Sequence, residues 1–337
     1  MKTIVMCPES DRNLGLFDDL CGLPGVSVKY VTLRRGWYKW IRKAVYRFRY
    51  LTGLDIPMPS FLFDYRIDKL IVDPETVSLT VRSNVLEYVP MSYFEELRSR
   101  GIKCGLLLLD SMDAGSYTVS VTRKYIDPGL WDGIRTFDPV DAARYGFTFS
   151  GFHYYSKRDV KQSGSRDSDL YFVGSFKGER YRDIVSAFNV LTAKGVRCRF
   201  DILISKVSES GNTDQGLNTF TKSMPYGSVL DCVSSSGCIL EILQKDQHGP
   251  SLRYFEAVVY NKKLVTNNHR ITDYPYYDPE FMRIFDDVGD IDVEWIKSDI
   301  TVEYHYKGDF SPVNMFLLKP TSIVSVHDSA PAGCQCA

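Results

Sequence analysis

Residues 102–109 read IKCGLLLL, a run with a single charge. A strand that is apolar at every position must be covered on both faces, as happens in a parallel sheet sandwiched between helices. This run commits the chain to an α/β architecture. Similar strand signals occur at Thr3–Cys7, Val26–Val31, Asp68–Val72 and Trp131–Phe137, and then at Leu170–Val173, Arg199–Ile204, Gly237–Ile242, Lys263–Asn267 and Met282–Asp286. Helical spacing falls between them, at Leu14–Leu20, Pro90–Arg100, Asp141–Tyr145, Tyr181–Leu191, Leu252–Asn261 and from Trp295. The alternation starts twice in 337 residues, which predicts two doubly wound domains. Ser156–Asp169 (SKRDVKQSGSRDSD) is nearly free of apolar residues and reads as a linker. The expected division is an N-terminal domain over 1–155, a linker over 156–168, a C-terminal domain over 169–325 and a disordered tail over 326–337. Glu209–Lys222 reads as an exposed loop.

Charge narrows the partners. Lys and Arg total 41 against 42 Asp and Glu, so no global bias toward nucleic acid exists. No apolar run reaches the roughly 18 residues a membrane span needs. The N-terminus lacks the pattern of a signal peptide. The eight cysteines are scattered and read as reduced, without structural disulfides. These features point to a cytoplasmic chain. One segment departs from the balance. Between Arg34 and Arg49 lie Arg34, Arg35, Lys39, Arg42, Lys43, Arg47 and Arg49, with no acidic residue among them. Trp37, Trp40, Ile41, Ala44, Val45, Phe48 and Leu51 recur there at helical spacing. This predicts an amphipathic helix, open to two readings. It either contacts an anionic membrane surface or packs on the core with a solvated basic side.

Chemistry is expected where strands end. Leu170–Val173 runs into Gly174-Ser175-Phe176-Lys177-Gly178-Glu179-Arg180 and then a helix. Such a turn offers backbone N–H groups to phosphate, and Lys177 and Arg180 add charge. The same segment also fits a βα turn with no ligand. Asp246–Tyr277 reads as polar loop, helix, buried strand and second polar loop. Ser251 is the expected N-cap, and Arg253 and Glu256, three apart, are expected to point at the same solvent region. Asp11, Asp110 and Asp113 each follow an expected strand and are candidate bases. Turn and cap formation accounts for them equally well. His153 and His248 are further cleft candidates, and a lone His is more often structural.

Three segments carry a resemblance: Trp131–Phe147 (WDGIRTFDPVDAARYGF), Asp169–Tyr181 (DLYFVGSFKGERY) and Gly249–Tyr277, with Arg253, Glu256, Ala257, Lys263, Leu264, Val265, Thr266, Asn267, Asn268, Ile271, Tyr274 and Tyr277 in pattern. Together they resemble the GT-B glycosyltransferases of bacterial capsule, O-antigen and lipopolysaccharide-core synthesis. The chain departs from that pattern in Pro250 and in Val258-Val259-Tyr260. The resemblance implies two Rossmann-like domains facing across a cleft. It implies a nucleotide-diphosphate sugar donor on the C-terminal domain, held by Gly174, Ser175, Lys177, Arg180, Ser251, Arg253 and Glu256, with Glu256 on the ribose. It implies a lipid-linked, lipopolysaccharide or capsular saccharide as acceptor, a base from Asp11, Asp110 or Asp113 if the reaction inverts, and no divalent metal or other cofactor. A peripheral position at the inner face of the cell membrane goes with it. Rival readings are a non-catalytic nucleotide- or sugar-binding protein, an epimerase built from two Rossmann units, and a membrane-peripheral scaffold.

Overall fold

The computed structural model describes residues 2–8, 14–31, 37–54, 56, 75–87, 89, 91–113, 123, 126, 129–151, 154–160, 166–175, 178–204, 216–244 and 247–317. Asp11, Lys177, Asp68–Val72, His153, the first residues of the basic segment and the C-terminal tail lie outside them. The first sheet holds β1 (Lys2–Pro8), β2 (Val26–Val31), β3 (Thr76–Arg82), β4 (Lys103–Leu108), β5 (Gly133–Thr136) and β6 (Thr148–Phe149), in the order β2-β1-β3-β4-β5-β6. The second holds β7 (Ser168–Ser175), β8 (Cys198–Leu203), β9 (Leu217–Phe220), β10 (Ser236–Glu241), β11 (Lys263–Thr266) and β12 (Met282–Ile284), in the order β12-β11-β10-β7-β8-β9. All strand pairs in both are parallel. The second order is that of a dinucleotide-binding Rossmann sheet, and its direction reverses between β7 and β10. The expected pair of Rossmann-like halves is present.

Helices cover the sheets. In chain order they are α1 (Tyr38–Thr52), α2 (Met91–Ser99), α3 (Pro139–Tyr145), α4 (Gly178–Ala193), α5 (Tyr226–Ser234), α6 (Leu252–Val259), α7 (Val293–Lys297) and α8 (Asn314–Leu317). Side chains alternate across the second sheet as the pleat requires. Leu170, Phe172, Cys238 and Leu240 pack with Ile184 and Phe188 of α4. Tyr171, Ile239 and Leu264 face the other way, toward Leu230 of α5 and Phe255 of α6. That second core does not stop at the domain. It continues through Tyr154 and Tyr155 to Phe137, Leu107, Cys7 and Val5 of the first sheet. Phe255 sits at the junction, 5.0 Å from the Tyr154 ring, 5.9 Å from Tyr155 and 4.9 Å from Phe310.

The chain end returns across the seam. The Tyr155 amide donates to Phe310 O at 2.8 Å, the Ser311 hydroxyl to Asp19 at 2.6 Å and Arg135 to Met315 O at 3.2 Å. Three local expectations change. β3 was not foreseen. β9 lies within the stretch read as an exposed loop, because LNTF is a short edge strand with a single buried side chain. The helix expected over Leu14–Leu20 is mainly turns, with a 3-10 turn at Asp18–Leu20. Among the described residues no helix is long and apolar enough to cross a membrane.

Lys263, part of the resembling motif, is structural. Its buried ammonium donates to Trp295 O at 2.6 Å, Ile296 O at 2.8 Å and Ser298 O at 2.7 Å. These are carbonyls at the end of α7, where the Ser298 hydroxyl also donates to Trp295 O at 2.6 Å and Arg166 to Ile296 O at 2.7 Å. Lys262 does the same at the end of α5, reaching Ser234 O at 2.6 Å and Ser236 O at 2.9 Å. Lys263→Met should remove three of the hydrogen bonds that close α7, leaving Arg166 and the Ser298 hydroxyl to hold those carbonyls, and cost about 1–3 kcal/mol in urea denaturation. A loss within the error of the wild type would refute this capping role.

Candidate functional site

The crevice at the β7/β10 reversal is built from two strand ends and two helix starts. β7 ends at Gly174 and Ser175, and α4 begins three residues later. A Cβ on Gly174 would meet the Phe172 ring at 2.8 Å and Arg180 Nη2 at 3.5 Å. Glycine at this position therefore lets the Arg180 guanidinium lie over the strand end, 5.8 Å from the Phe172 ring centre. Arg180 Nε is buried with no hydrogen-bond partner among the described residues. Burial, and then neighbouring Arg253, pull its guanidinium down to about 10 against the opposing pull of Glu241.

Glu241, the last residue of β10, ties the other half together. It is buried, and its Oε1 accepts from the Ser251 amide at 2.7 Å while Oε2 accepts from the Thr266 hydroxyl at 2.6 Å. This fixes the loop before α6 against the end of β11. Ser251 is the N-cap as expected, its hydroxyl accepting from the Arg253 amide at 3.2 Å. Asn267 Oδ1 accepts from the Leu243 amide at 2.8 Å and holds the β10 exit.

Arg253 and Glu256 do not point at solvent. Tyr226 of α5 and Tyr155 lie beside the pair, which is buried, with Glu256 at 0% exposure. Arg253 Nη2 donates to Glu256 Oε1 at 2.7 Å, and the Tyr226 hydroxyl donates to the same oxygen at 2.8 Å. The Tyr155 hydroxyl lies 3.0 Å from that of Tyr226, linking the group to the interdomain segment. Glu256 Oε2 and Arg253 Nη1 are buried without hydrogen-bond partners among the described residues. Burial raises the Glu256 carboxyl to about 7, although Arg253 and Tyr226 both favour its charged form.

Beside this cluster opens a cavity of about 460 Å³, lined by Arg180, Asp183, Gln244, Gln247, His248, Asn268 and Arg270, among others. Its size suits a small organic ligand. Asn268 Nδ2 is another buried donor without a hydrogen-bond partner among the described residues. His248 was foreseen as a cleft residue. Asp183, Gln244, Gln247, Asn268 and Arg270 were not foreseen as ligand groups, because what unites them is the convergence of β10, β11 and α4 rather than any sequence spacing.

The first domain closes on the crevice. A Cβ on Gly249 would meet the Phe137 ring at 2.3 Å, so the loop before α6 touches the end of β5. Tyr154 lies between Phe137 and Phe255. Burial and then Glu241 raise its hydroxyl well above the usual range, with Asp110 adding and Arg82 opposing. Asp110 and Glu241 therefore both bear on the Tyr154 hydroxyl. Asp113 is turned aside and paired with Arg144 at 3.0 Å and Arg123 at 3.2 Å. The carboxylates of the Phe137–Phe147 motif are structural. Asp138 caps α3 through Val140 N at 2.8 Å, and Asp141 accepts from Met112 N at 2.7 Å, holding the loop that carries Asp110 and Asp113.

The Glu256 carboxyl gives a pH prediction. Its folded value of about 7 lies above its ordinary 4.5, so folding favours the protonated form. That contribution is present below about pH 4.5 and is lost as pH rises through about 7. Glu256→Gln should flatten the fall in unfolding free energy over this window relative to wild type. Identical slopes in the two proteins would show that Glu256 does not titrate there.

No family profile and no curated protein matches the chain in sequence. Its fold is similar to those of solved glycosyltransferases. Spinosyn rhamnosyltransferase SpnG, complexed with thymidine diphosphate, aligns at 10% identity over 94% of this chain and 95% of that one, with a TM-score of 0.46. A UDP-forming trehalose-phosphate synthase from Burkholderia xenovorans aligns at 11% over 88% and 90%, TM-score 0.46. The glycosyltransferase SnogD from Streptomyces nogalater aligns at 12% over 88% and 90%, TM-score 0.43.

Proposed function

We propose that this chain is a GT-B glycosyltransferase that moves a sugar from a nucleoside-diphosphate sugar to a saccharide acceptor, without a divalent metal. The observation that carries this reading is the pair of guanidinium groups at the β7/β10 reversal. Arg180 Nε and Arg253 Nη1 are buried, cationic and without hydrogen-bond partners among the described residues. Two like charges gathered at such a crevice suit a diphosphate, whose oxygens accept from both. The N-terminus of α6, capped by Ser251, adds partial positive charge. As the sugar–phosphate bond breaks, negative charge grows on the leaving diphosphate, and these fixed donors stabilise it there.

Donor entry then exchanges partners. Arg253 turns from Glu256 to phosphate, and Glu256 becomes free to accept from ribose hydroxyls. Lys177, between β7 and α4 in the sequence, is proposed to join the phosphate group. An inverting reaction takes its base from the first domain, where Asp110 is proposed for the role, Asp113 is engaged by two arginines, and Asp11 is the third candidate. A retaining reaction needs no such base. The acceptor is proposed to be a lipid-linked saccharide of lipopolysaccharide or capsule synthesis. The enzyme would be cytoplasmic and peripheral at the inner membrane face, with the basic segment Arg34–Arg49 toward anionic lipid.

Thermal-shift measurements with UDP, GDP, CDP and their sugar conjugates test the donor site. A cognate nucleotide at 100 times its Kd should stabilise the chain by about 2.7 kcal/mol. Arg180→Ala should weaken that binding by roughly 1.5–3 kcal/mol, about tenfold to a hundredfold, with the fold retained. Glu256→Ala should weaken binding of the nucleoside diphosphate. Unchanged affinity in Glu256→Ala would remove the ribose role. If no nucleotide shifts the transition at all, the transferase reading fails. Binding without turnover would place the chain among non-catalytic nucleotide-binding proteins.

A further inference from the structure

The helix α1 has three faces rather than two. Tyr38, Ile41 and Val45 pack on the core of the first domain. Arg49 is buried on that side as well. The rest of the apolar set is left outside: Trp37 is 63% exposed, Trp40 72%, Phe48 45% and Leu51 68%. At about 100° per residue these four, with Ala44 between them, fall on one stripe along the helix. The stripe continues past the Gly53 C-cap in exposed Leu54 and Ile56. Nine large hydrophobic residues are exposed among the described residues, and six of them are in this segment. That concentration marks a docking surface rather than the scattered exposure any soluble protein shows.

Lys43 and Arg47 border the stripe on the side away from the core, both exposed, and Lys43 Nζ lies 5.7 Å from the Trp40 ring centre. No acidic residue occurs from Arg34 to Leu54. A symmetric contact with a second copy would set this basic face against itself, which like charges oppose. A surface that accepts tryptophan rings and aliphatic tips, and that is itself negative, satisfies both rows at once.

We propose that the stripe Trp37–Trp40–Phe48–Leu51, extended by Leu54 and Ile56, inserts into the interface of an anionic lipid bilayer while Lys43 and Arg47 meet the headgroups. α1 follows β2, an edge strand whose C-terminal end lies on the same margin of the sheet as Asp110. The lipid-inserting surface stands on its own. Its use in delivering a membrane-anchored acceptor rests on the transferase reading.

The test is flotation of the full chain with vesicles of phosphatidylcholine alone or of phosphatidylcholine with phosphatidylglycerol. The chain should float with the anionic vesicles, less so in high salt, and not with the neutral ones. Emission of Trp37 and Trp40 should shift to the blue on binding, since Trp131 and Trp295 are already buried. Trp40→Ser with Leu51→Ser, both exposed and away from the crevice, should lower the bound fraction at least about tenfold. The proposal is overturned if the wild type does not float at low salt, if the double variant floats equally, or if the double variant loses only self-association in sedimentation. The nucleotide thermal shift is read on both proteins. An intact shift without flotation fails this inference alone, and flotation without any shift fails the transferase reading alone.

Discussion

A carboxylate removed from water at the end of a central strand organises the second domain. Glu241 has no solvent to share its charge with, so the chain supplies donors from two directions, the Ser251 amide and the Thr266 hydroxyl. Those bonds fix where α6 begins and how it lies against β11. Glu241 also attracts Arg180 against the repulsion of neighbouring Arg253, whose own partner is Glu256. It also reaches across the seam to Tyr154 and thereby to the ends of β3 and β4. A single buried acid therefore links loop geometry, charge distribution and domain contact.

The parallel core was legible because strands such as β4 and β10 are apolar on both faces, and no other environment suits such runs. β9 was not, because an edge strand buries little and its four residues look like loop. Local chemistry was legible where one residue acts on its neighbours, as Ser251 does in capping α6. It was not legible where the partner is distant in sequence. Nothing in the neighbourhood of Lys263 says that its ammonium closes the end of a helix more than thirty positions later. The spacing of Arg253 and Glu256 put them side by side but facing solvent, because a helical wheel does not report that Tyr226 and Tyr155 seal the pair from water. The cavity escaped notice for the same reason, since its walls come from three separate strand–loop units.

The basic helix shows the same limit in another form. Its apolar residues recur at one spacing, and the sequence reading treated them as one face. In three dimensions that face divides between Ile41 and Val45, which meet the core, and Trp40 and Leu51, which do not. The two readings left open at the outset are therefore compatible, because core packing and an outward apolar edge occupy neighbouring arcs of one helix.

Gly249 has a consequence that reaches beyond its own loop. The absence of room for even a methyl group between it and Phe137 means that the first domain touches the segment leading into α6. A rotation of one domain against the other moves that segment, and with it the capped start of α6. Thermodynamic linkage would then run both ways: a ligand at the helix start would bias the angle between domains, and a ligand that does the same from the first domain would alter the affinity of the first by the same factor. Donor and acceptor would each sense the other through a contact in which neither takes part.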